Sequence, residues 1–537
     1  MKKTQKIVFA FVAACLLSSI PFAATATSGT SVEISQSLVP KICPADPGKQ
    51  AVSELPAKSS PIVLPARKPN AAVPAKDDMI ETPSVSLSGG LKRTSAPVVN
   101  PVPVPEAMKK PITLDQALEV AFSNSPQIQT ALSMVESARG AVDAARAQFN
   151  PTFNVSMTST FQGPISKMST GDGSFISMGS SPDNLANLSF TLPLDVSRKL
   201  TYSSDIATYQ FQQDYLSMVS TSQQLIVDVK SAYYELLRTC GKVAVNQASV
   251  DDAKLRLDNI RAKFEEGAAP KYDVTSAEVE LDNLNQELIS SQNDMRVAQA
   301  SLNAVLGVDV NNPTQVVSGD IDVSNEEVDI PKLVNEAYSK RPEIKSAQLQ
   351  VTLAQVDVSL KKTGVLPSLN LSGGPSYDFN PSGFTTKKTS WSVGVTLSVP
   401  VWDGGVTKAN VRESKAQLQG AIASLNQEKI AVAKEVRKSA LDLQNSALRT
   451  KTTEHAVKLA EDALAIAYDR YNSGVAVLVE VTNAQSQLAQ ARYNFVNAQY
   501  DYAIAVAQFQ KATYAQPELN QLQLLAGKTV EIAEAKK

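Results

Sequence analysis

The chain has 537 residues, with 51 Lys and Arg against 53 Asp and Glu, and a formal net charge of −2. This near balance argues against nucleic acid as a partner, because binding to a phosphate backbone needs a strong basic bias. One histidine (His455) and three cysteines (Cys15, Cys43 and Cys240) leave no His/Cys cluster in the sequence that could hold a zinc or transition-metal site within one chain. The sequence also has no glycine-rich phosphate loop, and His455 lies in a helical pattern. We therefore expect a protein that is not an enzyme and holds neither metal nor cofactor.

Residues 1–26 have the pattern of an export signal, with a basic start followed by an apolar stretch. Two endings are compatible with it. Small residues at 24–26 favour cleavage that leaves Thr27 first, and the apolar stretch that continues to residue 22 fits this ending better. The Val-Ala-Ala-Cys sequence ending at Cys15 also resembles a bacterial lipobox, which makes Cys15 a candidate lipidation site.

The next segment, residues 27–111, is rich in Pro, Ala, Ser and Val. Such a composition favours extended segments without a core, so we expect a flexible periplasmic tail. Beyond the signal no run of 18 or more apolar residues occurs, so the sequence predicts no transmembrane helix.

Most of the remaining chain carries one pattern twice. The motif at 263–267 returns at 470–474, and Asp273 returns at the same offset as Glu480. Such duplication predicts two copies of one unit, each reading helix, strand, strand, long helix, helix. We assign the first repeat to residues 112–318, the second repeat to 319–515 and a C-terminal tail to 516–537.

The two copies differ in length at one place. Pro126 and Pro151 return as Pro342 and Pro367 at a longer offset than the later motifs do. The offset changes by nine residues (216 − 207), and this change must lie between Pro151 and Pro193 in the first copy and between Pro367 and Pro400 in the second. A length difference confined to such a place marks an exposed loop, where insertions are tolerated.

Each repeat begins with a helix signal. Thr113 and Gln116 form a capping-box pattern at the start of the first repeat. Asp329, followed by Pro331, begins the second repeat. We expect a helix shorter than the later ones at both places.

Four segments alternate with period two and have an almost purely apolar face. The predicted strands are residues 152–162, 187–195, 367–378 and 390–401, with apolar faces of Phe153, Val155, Met157 and Phe161; Leu188, Phe190, Leu192 and Leu194; Leu369 and Leu371; and Trp391, Val393, Val395, Leu397, Val399 and Val401. A soluble sheet over a core would show the same alternation. Small Ser, Thr, Asn and Gly on the other face, and Trp391 and Trp402 at the ends of the last strand, favour strands that face lipid outside and water inside.

Four strands cannot close a barrel, since the smallest membrane barrels have about eight. An open edge in lipid would leave backbone groups unpaired. The chain must therefore oligomerise. Two copies would give eight strands and three would give twelve, and the residues alone do not choose between them.

Long helices follow the strands, with apolar positions that step by four and three as in a coiled coil. In the first copy the heptad positions are Leu225, Val229, Ala232, Leu236, Thr239, Val243, Asn246, Val250, Ala253, Leu257, Ile260 and Phe264, and only the polar Thr239 and Asn246 break the apolar pattern. A helix over residues 199–264 would be roughly 100 Å long at 1.5 Å per residue. Gly267 and Gly474 are good positions for left-handed helix ends, and new helices are expected near Pro270 and Ala476. Each copy therefore predicts a helical hairpin.

These features together resemble the TolC-type outer-membrane efflux channel family. The residues that carry the resemblance are the opening 112–118, the Pro126/Pro342 and Pro151/Pro367 pairs, the segment 400–405 and the two hairpin tips with Gly267/Asp273 and Gly474/Glu480. The resemblance implies a mixed α+β membrane protein in the Gram-negative outer membrane. It implies a homotrimer with a twelve-stranded β-barrel, four strands per chain, continued by a long periplasmic α-helical barrel. It further implies an exit duct for an efflux pump or type I secretion system, with a periplasmic adaptor and an inner-membrane transporter as partners.

The resemblance also implies roles for residues at the tips. Tyr471 and Asp273 stand where the family forms a bond that closes the periplasmic gate, and Glu480 stands at one acidic ring of the constriction. Asn483 replaces a second acid, and Ala476 replaces the family's gate arginine. Tyr471 is equally compatible with a heptad packing role, and Glu480 with a solvated helix charge. The tips around Gly267 and Gly474 are the expected docking site for the adaptor.

Two other functions share part of this pattern. A periplasmic adaptor would contain one coiled-coil hairpin, but neither the duplication nor the amphipathic strands. A general porin would be open without partners, which long helices and a tip gate do not suggest. The exported cargo, whether drug, metal ion or polypeptide, stays open.

Overall fold

The computed structural model describes residues 110–173, 175–319, 321–323, 329–382 and 387–516. The signal residues 1–26 with Cys15, almost all of the tail at 27–111 and nearly all of the C-terminal tail lie outside them. The helices are α1 (Leu114–Asn124), α2 (Pro126–Ala147), α3 (Lys199–Glu265), α4 (Lys271–Leu306), α5 (Ile330–Lys340), α6 (Pro342–Lys362), α7 (Val406–Asn472) and α8 (Leu478–Ala512). The strands are β1 (Thr152–Thr160), β2 (Lys167–Ser169), β3 (Phe175–Ser177), β4 (Asp183–Leu194), β5 (Ser368–Asp378) and β6 (Thr389–Ser398).

Side-chain caps begin the first helix of each half. The Thr113 hydroxyl accepts the backbone N–H of Gln116, whose own side chain accepts the N–H of Thr113 at 3.1 Å. Asp329 accepts the backbone N–H of Lys332 at the start of α5. These bonds satisfy donors that have no partner within the helix.

The expectation of one opening helix in each half was too simple, because each half opens with two. The breaks fall at Ser125 and Arg341, whose ψ angles are 122° and 134°. Each precedes a proline, and the proline ring disfavours helical backbone in the residue before it. A helix therefore ends there and a new one begins at the proline.

The four long strands form one antiparallel sheet in the order β1-β4-β5-β6. β4 begins at Asp183, four residues before the predicted strand, and β6 ends at Ser398, before the predicted end at 401. The hairpin β2–β3 was not predicted, and it lies in the long connection between β1 and β4. The matching connection between β5 and β6, residues 379–388, is much shorter.

The apolar face of this sheet is open in the single chain. Val155 of β1 is 81% exposed, and Trp391 and Val395 of β6 are also exposed. None of these side chains packs into the helical core clusters that the described residues form. The sheet therefore does not serve as one wall of a soluble core.

Two aspartates fix the corners where strands lead into long helices. The carboxylate of Asp195 accepts the backbone N–H groups of Leu200 and Thr201 at the start of α3. The carboxylate of Asp403 accepts the backbone N–H of Thr407, at 2.8 Å, at the start of α7. The same arrangement, an aspartate carboxylate that accepts backbone N–H groups, therefore begins both long helices where they leave the sheet.

Each long helix folds back into a hairpin, α3 with α4 and α7 with α8. Most heptad positions of α3 are buried, including Leu225, Leu236 and Ile260. Phe264 was expected to be the last buried heptad position, but it is 42% exposed. It lies in the last turn of α3, at the tip of the hairpin, where α4 only begins. The main core cluster joins α1, α3 and α4 to the segments at Ile112 and Val316, which pair as a parallel bridge.

Over the residues that the structure covers, every helix lacks either the length or the apolar character needed to cross a membrane.

Candidate gate and docking site at the hairpin tips

Both hairpin tips turn through a glycine in the left-handed conformation. Gly267 has φ +78° and Gly474 has φ +74°, values that side chains rarely adopt. At the first tip the Ala268 N–H reaches the Lys263 carbonyl at 2.7 Å, and at the second the Val475 N–H reaches the Arg470 carbonyl at 3.0 Å. This pairing is the Schellman motif, which satisfies carbonyls at a helix end. The two tips therefore share one rigid backbone geometry.

A salt bridge spans the second tip. The Arg470 guanidinium in the last turn of α7 lies 2.9 Å from the Glu480 carboxylate in the first turn of α8. Glu480 also sits at a helix N-terminus, where the helix dipole favours a negative charge. The predicted ring residue Glu480 is thus half-buried and charge-paired within its own chain rather than a free acid.

Tyr471 packs in the core of the second hairpin. It contacts the cluster of Ala467, Val481 and Ala484 and is half-buried there. The Lys263 ammonium from the first hairpin lies 4.7 Å from the centre of its ring. A cation over an aromatic face is attracted to it, so this contact links the two hairpins at their tips.

Asp273, the expected partner of Tyr471, lies in the first turn of α4. Burial, together with the nearby Asp273 carboxylate, raises the pKa of Tyr471 above its ordinary value. The hydrogen bonds of the described residues do not include one between these two side chains within the single chain. The Asp273 carboxylate is thus near enough to Tyr471 to affect its pKa, while the gate bond itself stays a prediction.

Lys263 and Arg470 are tip residues that our sequence reasoning did not single out. They stand at equivalent positions of the duplicated motif, which is the signal that could have found them. Their side chains nevertheless do different things. Arg470 pairs with Glu480 across its own tip, whereas Lys263 reaches the ring of Tyr471 in the neighbouring hairpin.

The tips also present apolar side chains to solvent. Val475 is 73% exposed and Val477 is 70% exposed, and Val479 and Tyr272 are exposed beside them. Apolar residues grouped at an end of a molecule, next to charged ones, are typical of a protein-binding surface. We name Tyr272, Val475, Val477 and Val479 the tip patch.

The remaining predicted positions lie close by. Asn483 is exposed on α8, one turn beyond Glu480. Ala476 is half-buried and its N–H donates to the Arg470 carbonyl at 3.2 Å, so it has only a backbone role here. His455 is exposed on α7. Within the described ranges no three potential ligands gather into a group that could hold a metal ion.

Comparison with known proteins gives the class of this fold and site. A profile of the outer membrane efflux protein family matches residues 117–308 and 333–513, which is most of the described chain. The chain belongs to the outer membrane efflux protein family. This membership confirms the predicted class, an outer-membrane export duct and not an enzyme, and confirms the predicted location.

Individual proteins support the same conclusion. The outer membrane protein TolC of Vibrio cholerae is 25% identical over 413 residues, which cover 76% of this chain and 92% of that protein. Two solved structures share the fold at lower identity. The outer membrane protein VceC of Vibrio cholerae has a TM-score of 0.63 at 20% identity and covers 74% of this chain and 95% of its own. The CmeC outer membrane channel of Campylobacter jejuni has a TM-score of 0.65 at 19% identity, covering 74% and 85%.

Proposed function

We propose that three copies of this chain form a passive exit duct, with a twelve-stranded β-barrel in the outer membrane and an α-helical barrel in the periplasm. Each chain contributes two repeats, residues 112–318 and 319–515. One observation carries the proposal: β1 and β6 are both edge strands of a sheet whose apolar face is uncovered. In lipid, each unpaired backbone group on those edges would cost several kcal/mol.

Pairing between copies removes these edges. The four strands alternate in direction, so β6 of one copy and β1 of the next run antiparallel, as all neighbours within the chain do. The two strands are also similar in length, with 9 and 10 residues. The same contact repeated around an axis closes a ring, which is a cyclic assembly.

The width of the pore favours three copies over two. A barrel of eight strands is just wide enough for its own side chains to fill it, so two copies would leave no conduit. Twelve strands leave a lumen, and the small Ser, Thr and Asn residues on the polar face of the sheet suit one filled with water.

The hairpin tips would form the periplasmic end of the duct. The tip patch beside the Arg470–Glu480 pair offers an apolar surface with charged neighbours. We propose that a periplasmic adaptor docks there and couples the duct to an inner-membrane transporter. Because adaptor and transporter supply the energy, the duct itself needs no nucleotide site.

Native mass spectrometry tests the assembly. Outer membranes are chemically crosslinked before mild detergent extraction, so that a fragile assembly is trapped. We expect a mass of three chains. A mass of two chains would require an eight-stranded barrel and would overturn the proposal, as would a single chain after crosslinking.

A substitution at the tip patch tests docking. Val477→Asp should weaken adaptor binding, measured as copurification from membranes that contain the pump, because it places a charge in the proposed apolar contact. Val310→Asp is the matched control, since Val310 is exposed in the loop beyond the far end of α4. Equal binding by both variants, with the three-chain mass retained, would remove the tip patch from the interface.

A further inference from the structure

Cys240 is one half of a disulfide bond. Its side chain lies in the main core cluster on α3 and is only 2% exposed. A sulfur buried this deeply within one chain cannot reach the equally buried Cys240 of a second copy. The bond is therefore made within the chain, and the only other cysteines are Cys15 and Cys43.

Both predicted ways of processing the export signal exclude Cys15 as the partner. Cleavage after residue 26 removes it from the mature chain. Lipidation would convert its sulfur to a thioether, which cannot form a disulfide. We infer that Cys43 and Cys240 form an intrachain disulfide that anchors the proline-rich N-terminal segment to the middle of helix α3.

The structure supports this anchor independently at the other end of that segment. Where the described chain begins, the Tyr233 hydroxyl of α3 donates to the carbonyls of Ile112, at 3.1 Å, and of Val317, at 2.6 Å. Tyr233 and Cys240 are two helical turns apart, so they lie on the same face of α3, about 10 Å from each other along the axis. With the disulfide in place, Cys43 and Ile112 would both be held on this face of α3.

The position of the anchor has a geometric consequence. Cys240 lies about 60 Å along α3 from its start beside the sheet, and about 40 Å from its end at the tip. The 28 residues from Cys15 to Cys43 can span at most about 100 Å. A lipid on Cys15 could therefore still reach the membrane, and cleavage after residue 26 is equally compatible with the anchor.

The chemistry fits the compartment. Disulfides persist in the oxidising periplasm and are rare in reducing cytosol, so a buried disulfide agrees with an exported chain. The anchor holds residues near Cys43 at the periplasmic part of the duct. Under this inference the N-terminal segment is tethered at Cys43, and is not the free tail that its composition suggests.

Peptide mapping without reduction tests the bond. The mature protein is unfolded in urea with N-ethylmaleimide present, digested with trypsin and analysed by mass spectrometry. We expect residues 42–49 covalently linked to residues 239–242, and their separation after treatment with dithiothreitol. A maleimide adduct on Cys240, or its linkage to Cys15 or to another chain, would overturn the inference.

Limited proteolysis of the native protein gives a second readout. Trypsin can cut at several lysines and arginines between residues 44 and 111. After cleavage the protein is denatured and its mass is measured without reductant. In the natural chain, the cut N-terminal piece should still contribute to that mass and should be lost only when dithiothreitol is added. In Cys43→Ser, which keeps Cys240 in its packed site, the piece should be lost without reductant. Retention of the piece in that variant, or its loss from the natural chain without reductant, would contradict the anchor.

Discussion

Nη1 of Arg341 lies 2.6 Å from Oε2 of Glu435, so a buried cation joins the break between α5 and α6 to the long helix α7. Its Nε also lies 3.1 Å from the Glu343 carboxylate, which accepts a hydrogen bond from the Ser220 hydroxyl of α3. The side chain of Arg341 is 4% exposed. One guanidinium thus holds together helices from both halves of the chain.

Loss of that cation should destabilise the fold. We expect Arg341→Gln to lower the free energy of unfolding by about 3 kcal/mol, because it removes a buried cation and leaves the largely buried Glu343 carboxylate and the exposed Glu435 carboxylate without their partner. The adjacent Lys340→Gln is the control, since Lys340 pairs with Glu336 at the surface and should cost about 1 kcal/mol or less. Loss of helical circular dichroism in urea measures both. Equal losses would contradict the role of Arg341.

The same cluster predicts a pH dependence. Burial alone would raise the pKa of Glu343, but the Arg341 guanidinium and the Ser220 hydroxyl hold it below its ordinary value of 4.5. The native state therefore binds this proton more weakly than the unfolded chain does. The resulting stabilisation is present above about pH 4.5 and is lost as the pH falls through the lower native pKa.

Glu343→Gln should remove this contribution. Thermal unfolding between about pH 3 and pH 7 should show a smaller acid loss of stability in the variant than in the natural chain. Parallel curves for the two proteins would show that Glu343 is not the group responsible.

The proposed gate bond can be tested by conductance. Tyr471→Phe combined with Asp273→Ala should raise the conductance of the duct in a planar bilayer, because the contact that closes the tip is lost. A contact of about 1–2 kcal/mol shifts an open-to-closed ratio by a factor of about 5–30. Tyr468→Phe, in the same hairpin cluster, is the control. Unchanged conductance in the double variant would remove both residues from the gate.

The Arg470–Glu480 pair should affect ion selectivity more than stability. In Glu480→Gln, Arg470 is left as an unpaired positive charge at the proposed constriction, so the reversal potential in a salt gradient should shift toward anions. Glu461→Gln is the matched control, because Glu461 pairs with Arg492 across the same two helices at the same distance, 2.9 Å, but away from the tip.

High salt should weaken that shift, since charges are screened beyond about 10 Å at 0.1 M. Both variants should unfold within about 1 kcal/mol of the natural chain, because exposed ion pairs contribute little. An equal shift of reversal potential in the two variants would show that the tip position is not special.

The exposed face of the sheet gives a further prediction. Val395→Arg should reduce the yield of the proposed trimer in outer membranes, since a charge on the proposed lipid face would cost about 2–4 kcal/mol at the bilayer midplane. Thr396→Arg is the control, as the neighbouring residue of a strand points to the opposite face, which the proposal assigns to the lumen. Trimer measured by crosslinking should survive in the control. Equal losses in both variants would contradict the assignment of faces.

Features governed by short-range rules could be predicted from the sequence. The bounds of α3 follow from its heptad pattern and Gly267, and the caps at Thr113 and Asp329 follow from residues three positions apart. The strands follow from strict alternation. In each case neighbours along the chain determine the conformation, so the pattern is visible without the fold.

Other features were missed because their partners are distant in sequence or their signals are weak. The hairpin β2–β3 consists of two three-residue strands, which are too short to show a period. Lys263 stacks on Tyr471, and Arg341 binds Glu435, only because the helices are rotated so that these faces meet. No local sequence pattern predicts that rotation, since it is set by packing between helices.

By itself, the sequence determined the class of protein, the order of its long helices and long strands and the location of the tips, because periodicity, caps and glycine conformations are local properties of the chain. Only the tertiary structure decided that Glu480 is paired to Arg470, that Tyr471 packs in a core beneath a lysine, and that Cys240 is bonded and buried. Those facts depend on which surfaces of long helices come together, and that is a property of the packed molecule as a whole.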